Sequence, residues 1–230
     1  MDSTVPAVFV KICGITTPDD ALLAAGLGAD AVGLIFATST RRVGVASAKD
    51  IVRRLPPEVL TVGVFRNERR DRVVEMANQV GLRVVQLHGS ETPDDVAWIG
   101  QRVPNVIRAL PAAELPHYDL DACGPTRLMI DSPEPGSGEV FDWERLAVDP
   151  PDRSFILAGG LHPDNVVDAI ELLRPWGVDV ASGVEARPGV KDPVKLQRFI
   201  AAARSVAPSD GTHESTVDSP FNWEDQTPWL

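Results

Sequence analysis

The chain has little cysteine and no long hydrophobic run. Its 230 residues include two cysteines, Cys13 and Cys123, and no stretch approaches the roughly 18 apolar residues that a membrane span requires. The first residues also lack the basic-then-apolar order of a secretory signal. We therefore expect a cytoplasmic protein with no membrane segment, in which both cysteines are free thiols because that compartment is reducing.

Basic side chains are outnumbered by acidic ones. The chain has 22 Lys and Arg against 33 Asp and Glu, for a formal net charge of −11. An acidic chain without a basic stripe repels the phosphate backbone, which argues against a nucleic-acid partner. Neither metal-ligand spacing nor a glycine-rich nucleotide motif occurs. We expect chemistry on a small molecule, with no metal and no cofactor.

The first 206 residues alternate short apolar runs with segments of helical period, which is typical of repeated strand–helix units. Eight runs are predicted as strands, at 8–12, 31–36, 60–65, 83–87, 105–109, 127–131, 154–158 and 178–182. Because these runs are apolar on both faces, they indicate a parallel sheet covered by helices. Eight units in about 200 residues predict a single-domain α/β protein with a (β/α)8 TIM barrel, and a doubly wound open sheet is the alternative.

The segments between the strands carry readable helix starts. Thr17 and Thr92 are each followed by Pro and two Asp residues, the chemistry of a helix N-cap. Further starts are predicted near 162–165 and 191–193, and helices at 46–55 and 68–80. The fifth and sixth units have room for single turns only. From residue 207 to 230 the chain contains five acidic residues, three prolines and no Lys or Arg, which predicts a disordered or loosely docked tail.

In a (β/α)8 barrel the active site forms at the carboxyl ends of the strands. The last two strands are predicted to end in glycine turns, with Gly159 and Gly160 after the seventh and Ser182 and Gly183 after the eighth. Single pairs of this kind usually mark ordinary turns. Together, in the two units where barrels commonly bind phosphate, they indicate a phosphate site.

Two other strand ends carry candidates for proton transfer. Cys13 follows the first strand and is on the same strand face as Lys11, which can favour a thiolate able to act as a base. Asp131 closes an apolar strand, where partial desolvation suits a general acid. The plainer alternatives are an inert buried cysteine and an aspartate that caps a turn.

Two further rim residues have open roles. Arg41 offers a planar guanidinium for a carboxylate or phosphate, although a solvated surface arginine is an equal alternative. His88, after the fourth strand, more often makes a structural hydrogen bond than takes part in catalysis.

Seven segments together resemble the phosphoribosylanthranilate isomerase family of tryptophan biosynthesis. They are VKICGIT (10–16), ADAVGLIF (29–36), VGVF (62–65), VQLHG (85–89), FDW (141–143), LAGGL (157–161) and DVASGVE (179–185). The resemblance implies a cofactor-free Amadori rearrangement in a (β/α)8 barrel. We expect a monomer or homodimer. By the same resemblance Cys13 is the general base and Asp131 the general acid, Arg41 holds the substrate carboxylate, and Asp179 contacts the anilino or sugar portion. The phosphate is then bound by Gly159, Gly160, Ser182 and Gly183.

Some positions depart from the family pattern. Arg42 replaces a usual aromatic residue and adds a second candidate for the carboxylate. The loop at 132–138 is shorter than usual, and Ala181 stands where Ser is frequent. Two alternatives stay open: a related or bifunctional sugar-phosphate isomerase of histidine biosynthesis, and a non-catalytic barrel that docks through its aromatic tail.

Overall fold

A computed structural model describes residues 8–131, 143–148 and 150–206, without the side chains of 144 and 145. Eight parallel strands pair in sequence order and close from the eighth to the first. Closure excludes the doubly wound open sheet and confirms the (β/α)8 barrel. The acidic tail and the loop at 132–138 lie outside the described residues, so expectations about them remain predictions.

The barrel strands match the predicted runs to within one or two residues. They are β1 Phe9–Ile12, β2 Ala31–Ile35, β3 Leu60–Phe65, β4 Val84–Leu87, β5 Val106–Pro111, β6 Arg127–Asp131, β7 Phe155–Leu157 and β8 Gly177–Val180. The eighth strand ends before Ser182, which lies in a 3₁₀ turn at Ser182–Val184.

Seven α-helices surround the strands in the described ranges. They are α1 Pro18–Gly26, α2 Val45–Arg54, α3 Arg70–Val80, α4 Pro93–Gly100, α5 Trp143–Val148, α6 Val166–Leu173 and α7 Pro193–Ser205. Thr17 and Thr92 cap α1 and α4 as predicted, each accepting a backbone N–H three residues on at 3.2 Å. The fifth unit has only a 3₁₀ helix at Ala112–His117, and α5 has six residues, so both are short as expected. None of the helices in the described ranges has the length and apolar character to cross a bilayer.

The interior of the barrel changes character from bottom to top. Small and branched side chains fill its middle, while Trp176 stacks on Phe9 at the amino-terminal end with ring centroids 4.6 Å apart. Because side chains alternate between faces in extended backbone, Lys11 on β1 and Cys13 just after it share one face, as do Gln86 on β4 and His88 just after it. Polar groups thus extend from the interior to the carboxyl-terminal rim.

A hairpin that the sequence did not predict follows the barrel. Its strands are β9 Glu185–Arg187 and β10 Val190–Lys191, joined through Gly189, which has a φ of 78°. Its turn is anchored to the first strand–helix loop, since Thr16 Oγ1 donates to the Gly189 carbonyl at 2.5 Å. This anchor brings Glu185 and Lys191 to the rim.

Candidate active site

Cys13 lies directly above a buried ion pair. Lys11 is fully buried, and its Nζ donates to Asp179 Oδ1 at 2.8 Å across the pairing of β1 with β8. A Cβ added at Gly33 would meet Cys13 Sγ at 2.8 Å and Lys11 Nζ at 3.2 Å. The bare glycine on β2 therefore leaves the space in which thiol and ammonium approach each other. Both cysteines of the chain are free, as predicted, and both are buried.

Burial dominates the protonation of this cluster. Burial raises the pKa of the Cys13 thiol, and Lys11 and Lys191 offset this only in part. The sequence-based expectation that Lys11 favours the thiolate is right for the effect of Lys11 itself. Burial, however, sets the net direction of the pKa shift of Cys13. Burial alone would lower the pKa of Lys11, but the charges of Asp179 and Cys13 outweigh it, so the pKa is raised and the ammonium is retained.

Arg41 is fixed in place by Glu185. Its Nε and Nη2 donate to the two carboxylate oxygens of Glu185, both at 2.8 Å, in the bidentate geometry that guanidinium and carboxylate favour. Lys191 Nζ lies 3.2 Å from Glu185 Oε1. Although burial acts to raise the pKa of Glu185, Arg41 and Lys191 hold it below its usual value. A Cβ at Gly14 would lie 2.7 Å from Arg41 Cδ, so the arginine packs beside Cys13.

Asp131 ends β6 and is 6% exposed. His88 Nε2 lies 3.0 Å from Asp131 Oδ2, and Gln86 Nε2 lies 3.4 Å from His88 Nδ1. If the Gln86 amide donates to Nδ1, the imidazole carries its proton on Nε2, which faces Asp131. Asp131 also makes an interaction beyond this pair. The histidine, for which the sequence favoured a structural role, is thus next to the candidate acid.

The two glycine turns meet. Gly159 and Gly160 adopt φ of 87° and 70°, which glycine tolerates best. A Cβ at Gly183 would lie 2.0 Å from the Leu161 carbonyl oxygen, so only a glycine allows this approach. Asn165 braces the first turn, since its Nδ2 donates to the Gly160 carbonyl at 3.0 Å and its Oδ1 accepts the N–H of His162 at 2.8 Å.

A buried arginine organises the loop around His88. Arg108 Nη1 lies 3.0 Å from Glu91 Oε2, and Arg108 Nη2 donates to the Gly89 carbonyl at 2.8 Å. Glu91 in turn accepts the N–H groups of Asn67 and Gly89 at 2.7 and 2.8 Å. One ion pair therefore ties together the loops after β3 and β4. Sequence reasoning assigned no role to Glu91, because two of its partners, Arg108 and Asn67, are 17 and 24 residues away in the chain.

The predicted residues fall into three groups at one rim. Cys13, Asp179 and Arg41 form the charged cluster over β1 and β8, the four residues of the glycine turns lie over β7 and β8, and Asp131 pairs with His88 over β4 and β6. In the closed order of strands, β7 and β8 lie between β6 and β1. Sequence reasoning assigned no role to Glu185, Lys191 or Asn165. Within the described ranges no group of three or more potential metal ligands occurs.

Comparison with known proteins identifies the family. Residues 10–202 match the family described as N-(5'phosphoribosyl)anthranilate (PRA) isomerase. A protein of that name from Geobacter sp. strain M21 is 42% identical over 207 residues, which cover 86% of this chain and 98% of the relative.

Solved structures agree with this assignment. A crystal structure of phosphoribosyl anthranilate isomerase in complex with reduced 1-(o-carboxyphenylamino)-1-deoxyribulose 5-phosphate has a TM-score of 0.77 and 38% identity, covering 86% of this chain and 100% of the other. A structure of monomers of the dimeric isomerase from Thermotoga maritima has a TM-score of 0.77 and 37% identity with the same coverage. The chain therefore belongs to the N-(5'-phosphoribosyl)anthranilate isomerase family.

Proposed function

We propose that this chain converts N-(5-phosphoribosyl)anthranilate to 1-(2-carboxyphenylamino)-1-deoxyribulose 5-phosphate, an Amadori rearrangement of tryptophan biosynthesis. One observation carries the proposal: Cys13, directly after β1, and Asp131, at the end of β6, flank the two strands that lead into the glycine turns. A phosphorylated sugar bound at those turns has a candidate base on one side and a candidate acid on the other.

The acid step opens the sugar ring. Protonated Asp131 donates its proton to the furanose ring oxygen while the C1′–O bond breaks, and the nitrogen lone pair forms the C1′=N bond of a protonated Schiff base. His88, with Nε2 at 3.0 Å from Asp131 Oδ2, is placed to orient this carboxyl.

The base step moves the double bond. The Cys13 thiolate removes the proton from C2′, and the electron pair of that C–H bond forms C1′=C2′ while the C1′=N electrons neutralise the nitrogen. The enolamine then tautomerises to the ketone. All electrons stay within the substrate, so the reaction needs no oxidant or reductant.

The charged cluster suits a strong base. Because burial raises the pKa of Cys13, the thiolate is scarce but more basic once it forms. Lys11, with Nζ bound to Asp179 at 2.8 Å, keeps a positive charge beside the thiolate. Asp179 is thereby placed to hold Lys11, and its second oxygen is proposed to contact the anilino or sugar portion of the substrate.

Arg41 is proposed to contact the substrate carboxylate. Its Nε and Nη2 each donate to Glu185, which fixes the plane of the guanidinium, and Nη1 is proposed to donate to the ligand. Gly159, Gly160, Ser182 and Gly183 are proposed to bind the phosphate through backbone N–H groups, with the Ser182 hydroxyl as a further donor.

The purified chain should isomerise N-(5-phosphoribosyl)anthranilate without added metal or cofactor, measured as loss of the fluorescent substrate. The matched comparison is the turnover of the aminoaldose substrate of histidine biosynthesis by the same protein. Comparable turnover of both would favour the bifunctional alternative, and turnover of neither would favour the non-catalytic barrel. Growth of a tryptophan auxotroph lacking the isomerase tests the same activity in cells.

We expect a monomer or homodimer in solution.

A further inference from the structure

A polar cavity lies between the loops that follow β2 and β3. It encloses about 140 Å³, and its polar lining comes from Thr38, Arg42, Arg66 and Glu68. Phe36 and Phe65 stack beneath it with ring centroids 5.1 Å apart. The cavity therefore has a rigid base and a charged entrance, and the proposed acid and base steps do not use it.

Two arginines of this cavity have no ion-pair partner among the described residues. The neighbouring arginines all have one: Arg41 with Glu185 at 2.8 Å, Arg69 with Asp71 at 2.7 Å and Arg70 with Asp95 at 3.3 Å. For Arg42 and Arg66 no such contact occurs in the described ranges. In a chain with 33 acidic side chains, two unpaired guanidinium groups in one cavity are a local excess of positive charge.

The one carboxylate in the cavity is already engaged. Glu68 Oε1 accepts the backbone N–H of Arg69 at 2.9 Å and makes no ion pair with either cavity arginine within the part of the chain that is described. The backbone on both sides of the cavity is anchored, because Arg42 N donates to the Ser39 carbonyl at 3.2 Å and Asn67 N donates to Glu91 at 2.7 Å. The two guanidinium groups thus extend from fixed positions.

The cavity lies across the barrel mouth from the glycine turns. In a closed ring of eight strands, β3 is opposite β7. The proposed substrate carries a phosphate at one end and an aryl carboxylate at the other. With the phosphate over β7 and β8, the carboxylate end enters on the side of β2 and β3. A protein of net charge −11 repels such a substrate unless positive charge faces the entrance.

We infer that Arg42 and Arg66 form an anion-binding site at the mouth of the cleft that takes the aryl carboxylate of the substrate as it enters. This inference rests on the proposed function for the identity of that carboxylate. Arg41 lies deeper, beside Cys13, and is held by Glu185. The site formed by Arg42 and Arg66 therefore assists the binding of substrate, and the chemical step proceeds without it.

The test measures kcat/KM as a function of ionic strength for Arg42→Gln and Arg66→Gln. At about 10 mM salt, where charges interact over roughly 30 Å, each variant should lose about two- to fivefold in kcat/KM. Near 1 M salt, where the screening length is about 3 Å, the difference from wild type should vanish. The value of kcat should not change.

Arg174→Gln is the matched control. Arg174 follows α6 at the amino-terminal end of the barrel, and its guanidinium also has no partner among the described residues. This variant removes the same charge and should keep the wild-type salt dependence. An equal loss of kcat/KM at low salt in Arg174→Gln would mean that the effect comes from net charge, which would contradict the inferred site.

A substrate analogue with aniline in place of anthranilate identifies the ligand. If the site takes the carboxylate, the arginine variants should turn over this analogue at the wild-type kcat/KM. An equal loss with the analogue would mean that the site acts on the phosphate, which contradicts the inference, as would an unchanged salt dependence.

Direct binding separates this inference from the proposed reaction. Fluorescent 2-aminobenzoate, titrated into the protein at low salt, should bind more weakly to both variants than to wild type and Arg174→Gln. If binding depends on the two arginines but the chain has no isomerase activity, the anion site is supported and the proposed reaction is refuted. Equal binding by all four proteins would overturn the site even in an active enzyme.

Discussion

The contact between the two glycine turns predicts a large effect from one methyl group. In Gly183→Ala the added Cβ would lie 2.0 Å from the Leu161 carbonyl oxygen, so the turns must separate by at least about 1 Å to reach 3.0 Å. The φ of Gly183 does not lie in the left-handed region, so alanine meets no backbone strain there. The whole perturbation is therefore a displacement of one proposed phosphate-binding turn from the other.

The expected result is a loss of phosphate affinity. A hydrogen bond to a charged group contributes about 1.5–3 kcal/mol, and 1.4 kcal/mol corresponds to tenfold. Loss of one such bond should raise KM about 10- to 100-fold and weaken inhibition by inorganic phosphate equally, with a smaller change in kcat. The steric cost should also lower the free energy of unfolding by about 1–3 kcal/mol.

Gly26→Ala is the control for this experiment. A Cβ at Gly26 meets no atom within 4 Å, and alanine favours the helix there. Steady-state kinetics and circular dichroism on both variants measure binding and folding separately. A folded Gly183→Ala protein with wild-type KM and wild-type inhibition by phosphate would refute the assignment of these turns.

Three other predictions concern Glu185, Trp176 and Cys13. Glu185→Gln removes the charged partner of Arg41 and should raise KM about tenfold. Because the pKa of Glu185 is lowered in the folded state, the ionised carboxylate stabilises the fold, and this stabilisation is lost as pH falls below about 4.3. The Tm of the variant should therefore decline less in acid than the Tm of wild type. Trp176→Ala should lower the free energy of unfolding in urea by about 3 kcal/mol and leave KM unchanged, because the ring stacks on Phe9 far from the rim. Since burial raises the pKa of Cys13 above 9.0, kcat/KM should still rise between pH 8 and 9. A kcat/KM that already reaches its maximum below pH 7 and stays constant at higher pH would contradict this.

The local features of this fold could be predicted from the sequence. Apolar runs located all eight barrel strands, and the Thr-Pro-Asp-Asp pattern located the starts of α1 and α4, since capping depends on neighbouring residues. The start of α6 is less regular. The turn at 162–165 comes first, with Asn165 bracing it, and the helix begins at Val166.

Features that depend on distant contacts could not be predicted in this way. The hairpin β9–β10 forms around a left-handed Gly189 and is held by Thr16, 173 residues earlier. Glu185 reaches Arg41 only because that hairpin is anchored there. The pKa of Cys13 likewise depends on how deeply the thiol is buried, which a neighbouring lysine in the sequence does not reveal.

The central claim is that Cys13 is the base and Asp131 the acid of the isomerisation, and kcat of single variants tests it most directly. Cys13→Ala and Asp131→Asn should each lower kcat for N-(5-phosphoribosyl)anthranilate by about 10²–10⁴-fold while the circular dichroism spectrum stays that of the wild type. Cys123→Ala removes the other buried thiol and should keep kcat near wild type. Turnover within a few-fold of wild type in a folded Cys13→Ala or Asp131→Asn protein would contradict the role of that residue.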